Sequence, residues 1–123
     1  MTAAVRFTLE SGAQQAVTPV PVIALSGDLD FTNAEQLRDD IQAALTPDHR
    51  DLVLDLTGLD FCDSTGIRIF LAIRKLLQER GGAVALAGLN SRLTRIFRLT
   101  GLVHAFTVQP TAADAVTLLR SRP

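Results

Sequence analysis

Leu59-Asp60-Phe61-Cys62-Asp63-Ser64-Thr65-Gly66 joins an apolar strand, Leu52-Val53-Leu54-Asp55-Leu56, to a long amphipathic helix. The junction sets a hydroxyl, that of Ser64, between a carboxylate and the first turn of the helix. A helix start carries unpaired backbone N–H groups and a partial positive charge, so it tolerates a phosphate. Ser64 is therefore a candidate phosphorylation switch. It suits equally well the structural role of a helix N-cap, the commonest job of a serine at such a place.

Upstream of the junction, Val5, Phe7 and Leu9 alternate with Arg6, Thr8 and Glu10, the pattern of a half-buried strand. Ser11 to Gln15 reads as a turn or short loop. A second strand runs from Val20 to Leu25, and Pro19 and Pro21, which lack amide donors, put its beginning at a sheet edge. The two strands fit an antiparallel hairpin. Ser26-Gly27-Asp28-Leu29-Asp30 leaves the second strand, and Thr32 or Asn33 caps the helix that follows, whose stripe is Leu37, Ile41, Ala44 and Leu45. Thr46-Pro47-Asp48 ends it. Strand 52–56 has few polar interruptions, as befits a central strand covered on both faces.

Downstream, the helix from about Thr65 to Arg80 stops at Gly81-Gly82. Ala83 to Ala87 reads as another buried strand. Ser91 is expected to cap a shorter helix closed by Gly101, Phe106-Thr107-Val108 forms a short last strand, and Thr111 caps a last helix with Ala112, Ala115, Val116 and Leu119 facing inward. The order is β-β-α-β-α-β-α-β-α: an α/β domain with a mixed central sheet of about five strands and about four helices. The whole chain, 1–123, reads as a single compact domain with its core at about 5–119.

Composition narrows the function. The 123 residues are 47% hydrophobic and 20% charged, which suits a folded soluble chain. A net charge of −1, from 12 basic and 13 acidic residues, argues against a nucleic-acid reader, which needs a concentrated basic surface. The lone cysteine, Cys62, excludes an intrachain disulfide and reads as a packed small hydrophobe. His49 and His104 make no metal-ligand cluster and read as structural. No membrane span, signal peptide or cofactor motif is visible, so the expectation is a cytoplasmic protein without membrane contact or cofactor, monomeric by default. As a nucleophile Ser64 would need a general base and an oxyanion hole, yet the sequence has no G-x-S-x-G elbow and no Walker A loop. An enzyme is not expected.

Beside Ser64, Thr65 reads as structural or as a secondary acceptor, and Gly66 as a site of close packing or partner access. In the helix, Ile69, Phe70, Ile73, Leu76 and Leu77 form the core face. Ile67, Leu71, Arg74 and Gln78 make a separate stripe at i, i+4, i+7 and i+11. Ile67 and Leu71 either contact a partner or merely widen the core face. Arg92, Arg95 and Arg98 recur every three residues along one helix, a solvated face or a surface for acidic groups of a partner.

Four segments in this order and spacing carry a family resemblance: Gly27-Asp28-Leu29-Asp30, Asp63-Ser64-Thr65-Gly66, Gly81-Gly82, and Leu93 to Leu102. Together they make the chain, from about Val5 to Leu119, resemble the STAS domain of bacterial anti-sigma-factor antagonists. The resemblance implies a partner-switching regulator. In that family the unmodified antagonist binds an anti-sigma factor that is also a serine kinase, freeing the sigma factor. The kinase phosphorylates the serine after the aspartate, here Ser64, and the modified antagonist lets go until a serine phosphatase resets it. Asp28, Asp30, Asp63, Thr65, Gly66, Ile67 and Leu71 would then belong to the partner-binding rim. Ile67-Arg68 after the glycine departs from the small or apolar residues of many relatives. The alternative implied by the same fold is an unphosphorylated STAS subunit of a stress-sensing scaffold or of a lipid-transport complex.

Overall fold

The computed structural model describes the backbone of residues 6–10 and the whole of residues 20–121. Its elements are β1 (Arg6–Glu10), β2 (Val22–Leu29), α1 (Ala34–Ala44), β3 (Leu52–Cys62), α2 (Ser64–Glu79), β4 (Val84–Ala87), α3 (Ser91–Leu99), a 3-10 turn (Leu102–His104), β5 (Thr107–Gln109) and α4 (Ala112–Arg120). The order is the one expected. The burial of Val5, Phe7 and Leu9, the turn at Ser11–Gln15 and Pro19 lie outside the described residues.

One five-stranded sheet runs β1-β2-β3-β4-β5. β1 pairs antiparallel with β2, Phe7 opposite Leu25, and the other three pairings are parallel. Alternate residues of β3 serve two cores. Leu52, Leu54 and Leu56 pack with Leu37 and Ile41 of α1, Phe70 and Ile73 of α2 and Phe97 of α3. Val53 faces the other way, with Ala85, Ala87, Ala115 and Leu119 under α4. A parallel strand covered on both faces needs such a continuous apolar run, and each fully buried Leu, Ile or Phe contributes about 1.5–3 kcal/mol of transfer free energy.

Both central strands run further than their alternation suggests. The register between β2 and β3 slips at Ala24/Ser26 and again at Gly27/Asp28, so β3 takes in extra residues opposite β2. After Leu56 its buried positions are Leu59 and Cys62, three apart instead of two. Bulges of this kind destroy the period-2 signal while the pairing continues. Gly27 to Leu29 and Leu59 to Cys62 are therefore strand, where connecting segments were expected. Gly27 takes φ +94°, a left-handed conformation natural to glycine. β2 is also an inner strand. Pro21 precedes its first residue, and the Val53 amide donates to the Pro21 carbonyl at 3.0 Å.

Two of the four helix caps sit one residue earlier than expected. Asp63, not Ser64, is the N-cap of α2, and Asn90, not Ser91, is the N-cap of α3, its side chain accepting from the Leu93 amide at 2.8 Å. Asn33 stands at the N-cap of α1 without a side-chain cap bond. Its side chain turns back, accepting from the Asp30 amide at 3.0 Å and donating to the Asp28 carbonyl at 2.9 Å. Thr111 caps α4 as expected, accepting from the Asp114 amide at 3.1 Å.

Candidate functional site: the rim around Ser64

The parallel strands β2, β3 and β4 all end at one edge of the sheet, the edge where α1, α2 and α3 begin. Carboxyl ends of parallel strands are where open α/β sheets gather exposed functional groups. The Asp63 amide donates to the Leu29 carbonyl at 3.1 Å, which holds the start of α2 against the end of β2. Asn90 Nδ2 donates to the Leu59 carbonyl at 3.1 Å and ties the start of α3 to the end of β3.

Asp63 organises the rim. Its Oδ1 accepts from the Gly66 amide at 3.0 Å, a cap on the first turn of α2. Its Oδ2 accepts from the Phe31 amide, 32 residues away in sequence, also at 3.0 Å. One half-buried carboxylate thus joins the β2–α1 loop to the helix start. Because Asp63 takes the cap, Ser64 becomes the first helical residue, exposed, and its hydroxyl forms no hydrogen bond with the described residues. The N-cap role open to Ser64 in the sequence falls to its neighbour.

Behind the serine the packing is tight. Gly66 is buried, and a Cβ there would stand 2.6 Å from Cys62 Sγ and 2.8 Å from Leu29 Cγ. Contacts that short force the neighbours to move, so Gly66 serves close packing. Cys62 Sγ donates to the Asp63 carbonyl at 3.5 Å. Burial, and then the nearby Asp63 charge, push its thiol up to about 12. That is an inert packed thiol.

The expected rim residues occupy distinct positions. Asp30 is consumed locally, its carboxylate accepting from the Thr32 amide at 2.9 Å and from the Thr32 hydroxyl. Asp28 is half-buried near the end of β2 and Asp60 exposed near the end of β3, which gives the rim its acidic character. Thr65 is half-buried. Ile67 and Leu71 are half-buried too and lean on the main core from its edge. Arg74 of the same stripe lies over the Phe106 ring at 6.0 Å.

Two rim residues went unnoticed in the sequence. Phe31 is 76% exposed and Phe61 40% exposed, the first on the loop bonded to Asp63 and the second in the bulged end of β3. The available signal was an aromatic residue following an aspartate, Asp30-Phe31-Thr32 and Asp60-Phe61-Cys62, in a chain with six Phe and no Trp or Tyr.

The histidines lie elsewhere. His49 precedes β3 at the end opposite Ser64, and a strand of this length puts about 30 Å between them. Its Nδ1 accepts from the Thr46 amide at 3.0 Å. His104 is exposed in the 3-10 turn. Among the described residues no cluster of three or more His, Cys, Asp or Glu could hold a metal, and no helix is long and apolar enough to cross a membrane.

Fold and rim define a class: a small α/β module whose most prominent surface feature is an uncommitted serine at a helix start, among carboxylates and exposed phenylalanines. Known proteins agree with that class. The sequence matches the STAS domain family over residues 13–115. An anti-sigma-B factor antagonist of Listeria monocytogenes is 32% identical over 80 residues, 65% of this chain and 70% of the relative. The crystal structure of an anti-sigma factor antagonist from Mycobacterium paratuberculosis superimposes with a TM-score of 0.82 at 27% identity, covering 98% of this chain and all of that one. The Bacillus cell-fate determinant SpoIIAA in its phosphorylated form superimposes at 0.67 with 25% identity, over 95% of this chain and 100% of that one. The chain belongs to the STAS domain family, and the Listeria and Mycobacterium relatives are named as anti-sigma factor antagonists.

Proposed function

We propose that this protein is an anti-sigma factor antagonist whose rim binds an anti-sigma factor with serine-kinase activity and thereby frees a sigma factor. Phosphorylation of Ser64 ends the complex, and a serine phosphatase restores it. The observation that carries this reading is the division of labour at the start of α2: Asp63 is doubly bonded and caps the helix, leaving Ser64 exposed and free to react. Support also comes from the relatives named as anti-sigma factor antagonists and from the phosphorylated form of one similar structure.

The physics favours a local off-switch. A phosphate on Ser64 adds about −1.5 to −2 charges. The helix start favours negative charge by about 0.3–1 kcal/mol, while Asp63, Asp28 and Asp60 oppose it. The two effects offset each other, and the exposed hydroxyl has room for the group without repacking Gly66 or Cys62. A partner lying flat on the rim meets a buried unpaired dianion instead, a penalty of several kcal/mol. Phe31 and Phe61 supply the apolar anchors of that contact, with Ile67 and Leu71 along its α2 side. Asp28 and Asp30 line the β2–α1 side and Thr65 the helix start, while Gly66, buried behind them, shapes the rim through packing and does not touch the partner.

The test is to incubate the protein with ATP and each kinase-type anti-sigma factor of its own genome, and to map phosphate by mass spectrometry, with Ser64→Ala as control. Phosphate on Ser64 from one kinase, with loss of that complex, is the expected result. Stable binding to none of them and no phosphate from any would refute the reading and favour the scaffold or transport-subunit alternative.

A further inference from the structure

α3, which begins at the same end of the sheet as α2, carries a second surface of opposite charge. Leu89, Ser91, Thr94, Arg95, Arg98 and Leu99 line an open groove of about 510 Å³ on its outer side. Leu99 is 77% exposed, the most exposed large hydrophobic side chain among the described residues, although α3 has Leu93 and Phe97 fully buried on its other face. A leucine so placed adds nothing to the core.

The segment that carries the groove is one-sided in charge. Between Glu79 and Asp114 the sequence contains no acidic residue, while Arg92, Arg95 and Arg98 follow one another at intervals of three along α3. All three are exposed, and none forms an ion pair with the described residues. In a chain of net charge −1 this concentrates unneutralised cations beside an apolar opening. Successive positions at i and i+3 fall along one side of a helix, so the guanidinium groups can engage carboxylates on one ligand segment together and bidentately.

We propose that the α3 groove is a second docking surface, one that takes an acidic amphipathic protein segment with an apolar side chain inserted beside Leu99 and carboxylates paired with Arg95 and Arg98. The geometry favours this occupant over other anions. The surface is concave and partly apolar, unlike one that lies on a flat membrane. It has no aromatic side chain to stack on a base, and three arginines are too few for the phosphate array of a nucleic acid. The inference does not depend on the fate of Ser64, so the protein can carry two independent contacts, an acidic rim and a basic groove.

The experiment uses the full chain labelled with ¹⁵N and a displayed library of random 16-residue peptides, selected on the native protein and then titrated individually by NMR. The expected peptides are net acidic with a spaced pair of apolar residues, shift the amides of residues 89–99, and bind at least tenfold more weakly to Arg95→Glu/Arg98→Glu and to Leu99→Ser. All three side chains are exposed, so a melting temperature close to that of the parent is expected for both variants and verifies folding. Neutral or basic selected peptides, shifts confined to the Ser64 rim, unchanged affinity in both variants, or no enrichment would each overturn the proposal. So would binding to phosphatidylglycerol vesicles, or concentration-dependent dimerisation, abolished by Arg95→Glu/Arg98→Glu while acidic peptides fail to bind.

Discussion

Replacing Asp63 with alanine should separate the helix start from the β2–α1 loop. The carboxylate makes two bonds of 3.0 Å, one to the Gly66 amide and one to the Phe31 amide. Loss of an N-cap costs typically about 1 kcal/mol. The second bond, to an ionised acceptor, is worth about 1.5–3 kcal/mol in general, but Phe31 is exposed and its amide recovers water, so about 1 kcal/mol is the appropriate share. Together the loss is about 2 kcal/mol, or about 6–10 °C in melting temperature for a domain of this size. Asp63→Ser keeps a capping oxygen but cannot reach both donors, so it should lose about half as much. Urea titration gives the free energies, and amide hydrogen exchange reports the loop: the Phe31 amide should exchange much faster in both variants, the Gly66 amide only in Asp63→Ala. A loss below about 0.5 kcal/mol, or unchanged protection at Phe31, would refute the idea that this carboxylate holds the rim together.

Ser64→Glu should leave the melting temperature within a few degrees of the parent, because the helix start and the rim carboxylates act in opposite directions, and should abolish capture of the partner in a pull-down. Phe31→Ala removes a side chain that contributes little to the core, so stability should stay within about 0.5 kcal/mol while partner affinity, read by calorimetry, falls at least tenfold. Gly66→Ala drives a methyl into Cys62 and Leu29; overpacking of about 1–3 kcal/mol outweighs the gain of up to about 1 kcal/mol from alanine in a helix, and urea unfolding should show a net loss. Cys62 has a folded pKa raised to about 12 from 9.0. Its contribution to stability is thus fully present below pH 9 and is lost as pH rises from there towards 12. Stability measured against pH should fall over that window less in Cys62→Ala than in the parent, and iodoacetamide at pH 8 should label the thiol only after urea unfolds the chain.

Much of the architecture is legible in residue order because it depends on local chemistry. Leu52 to Leu56 is apolar at nearly every position, the run that a strand covered on both faces requires. Gly81, with φ +79°, ends α2 where a left-handed residue is needed. Thr111 precedes the last helix with no competing cap nearby. The resemblance to STAS domains rests on the same short segments, which is why family membership could be read from them. Boundaries failed where two strands had to be in register. Nothing in Leu56-Thr57-Gly58-Leu59-Asp60-Phe61-Cys62 alone marks it as strand, since its apolar residues follow no period of two and the buried ones, Leu56, Leu59 and Cys62, are three apart. The bulges against β2 turn that spacing into a paired edge.

The same distinction holds at the site. That a serine follows an aspartate at a helix start is written in the chain, and so is the acidic company of Asp28, Asp30 and Asp60. Which of two adjacent residues caps the helix is settled by a contact from 32 residues away, because the Phe31 amide and the Gly66 amide converge on one carboxylate only after β2 and β3 have paired. The exposure of Phe31 and of Leu99 is equally a matter of tertiary packing: hydrophobicity is a property of the side chain, but whether the core has room for it depends on where every other element lies.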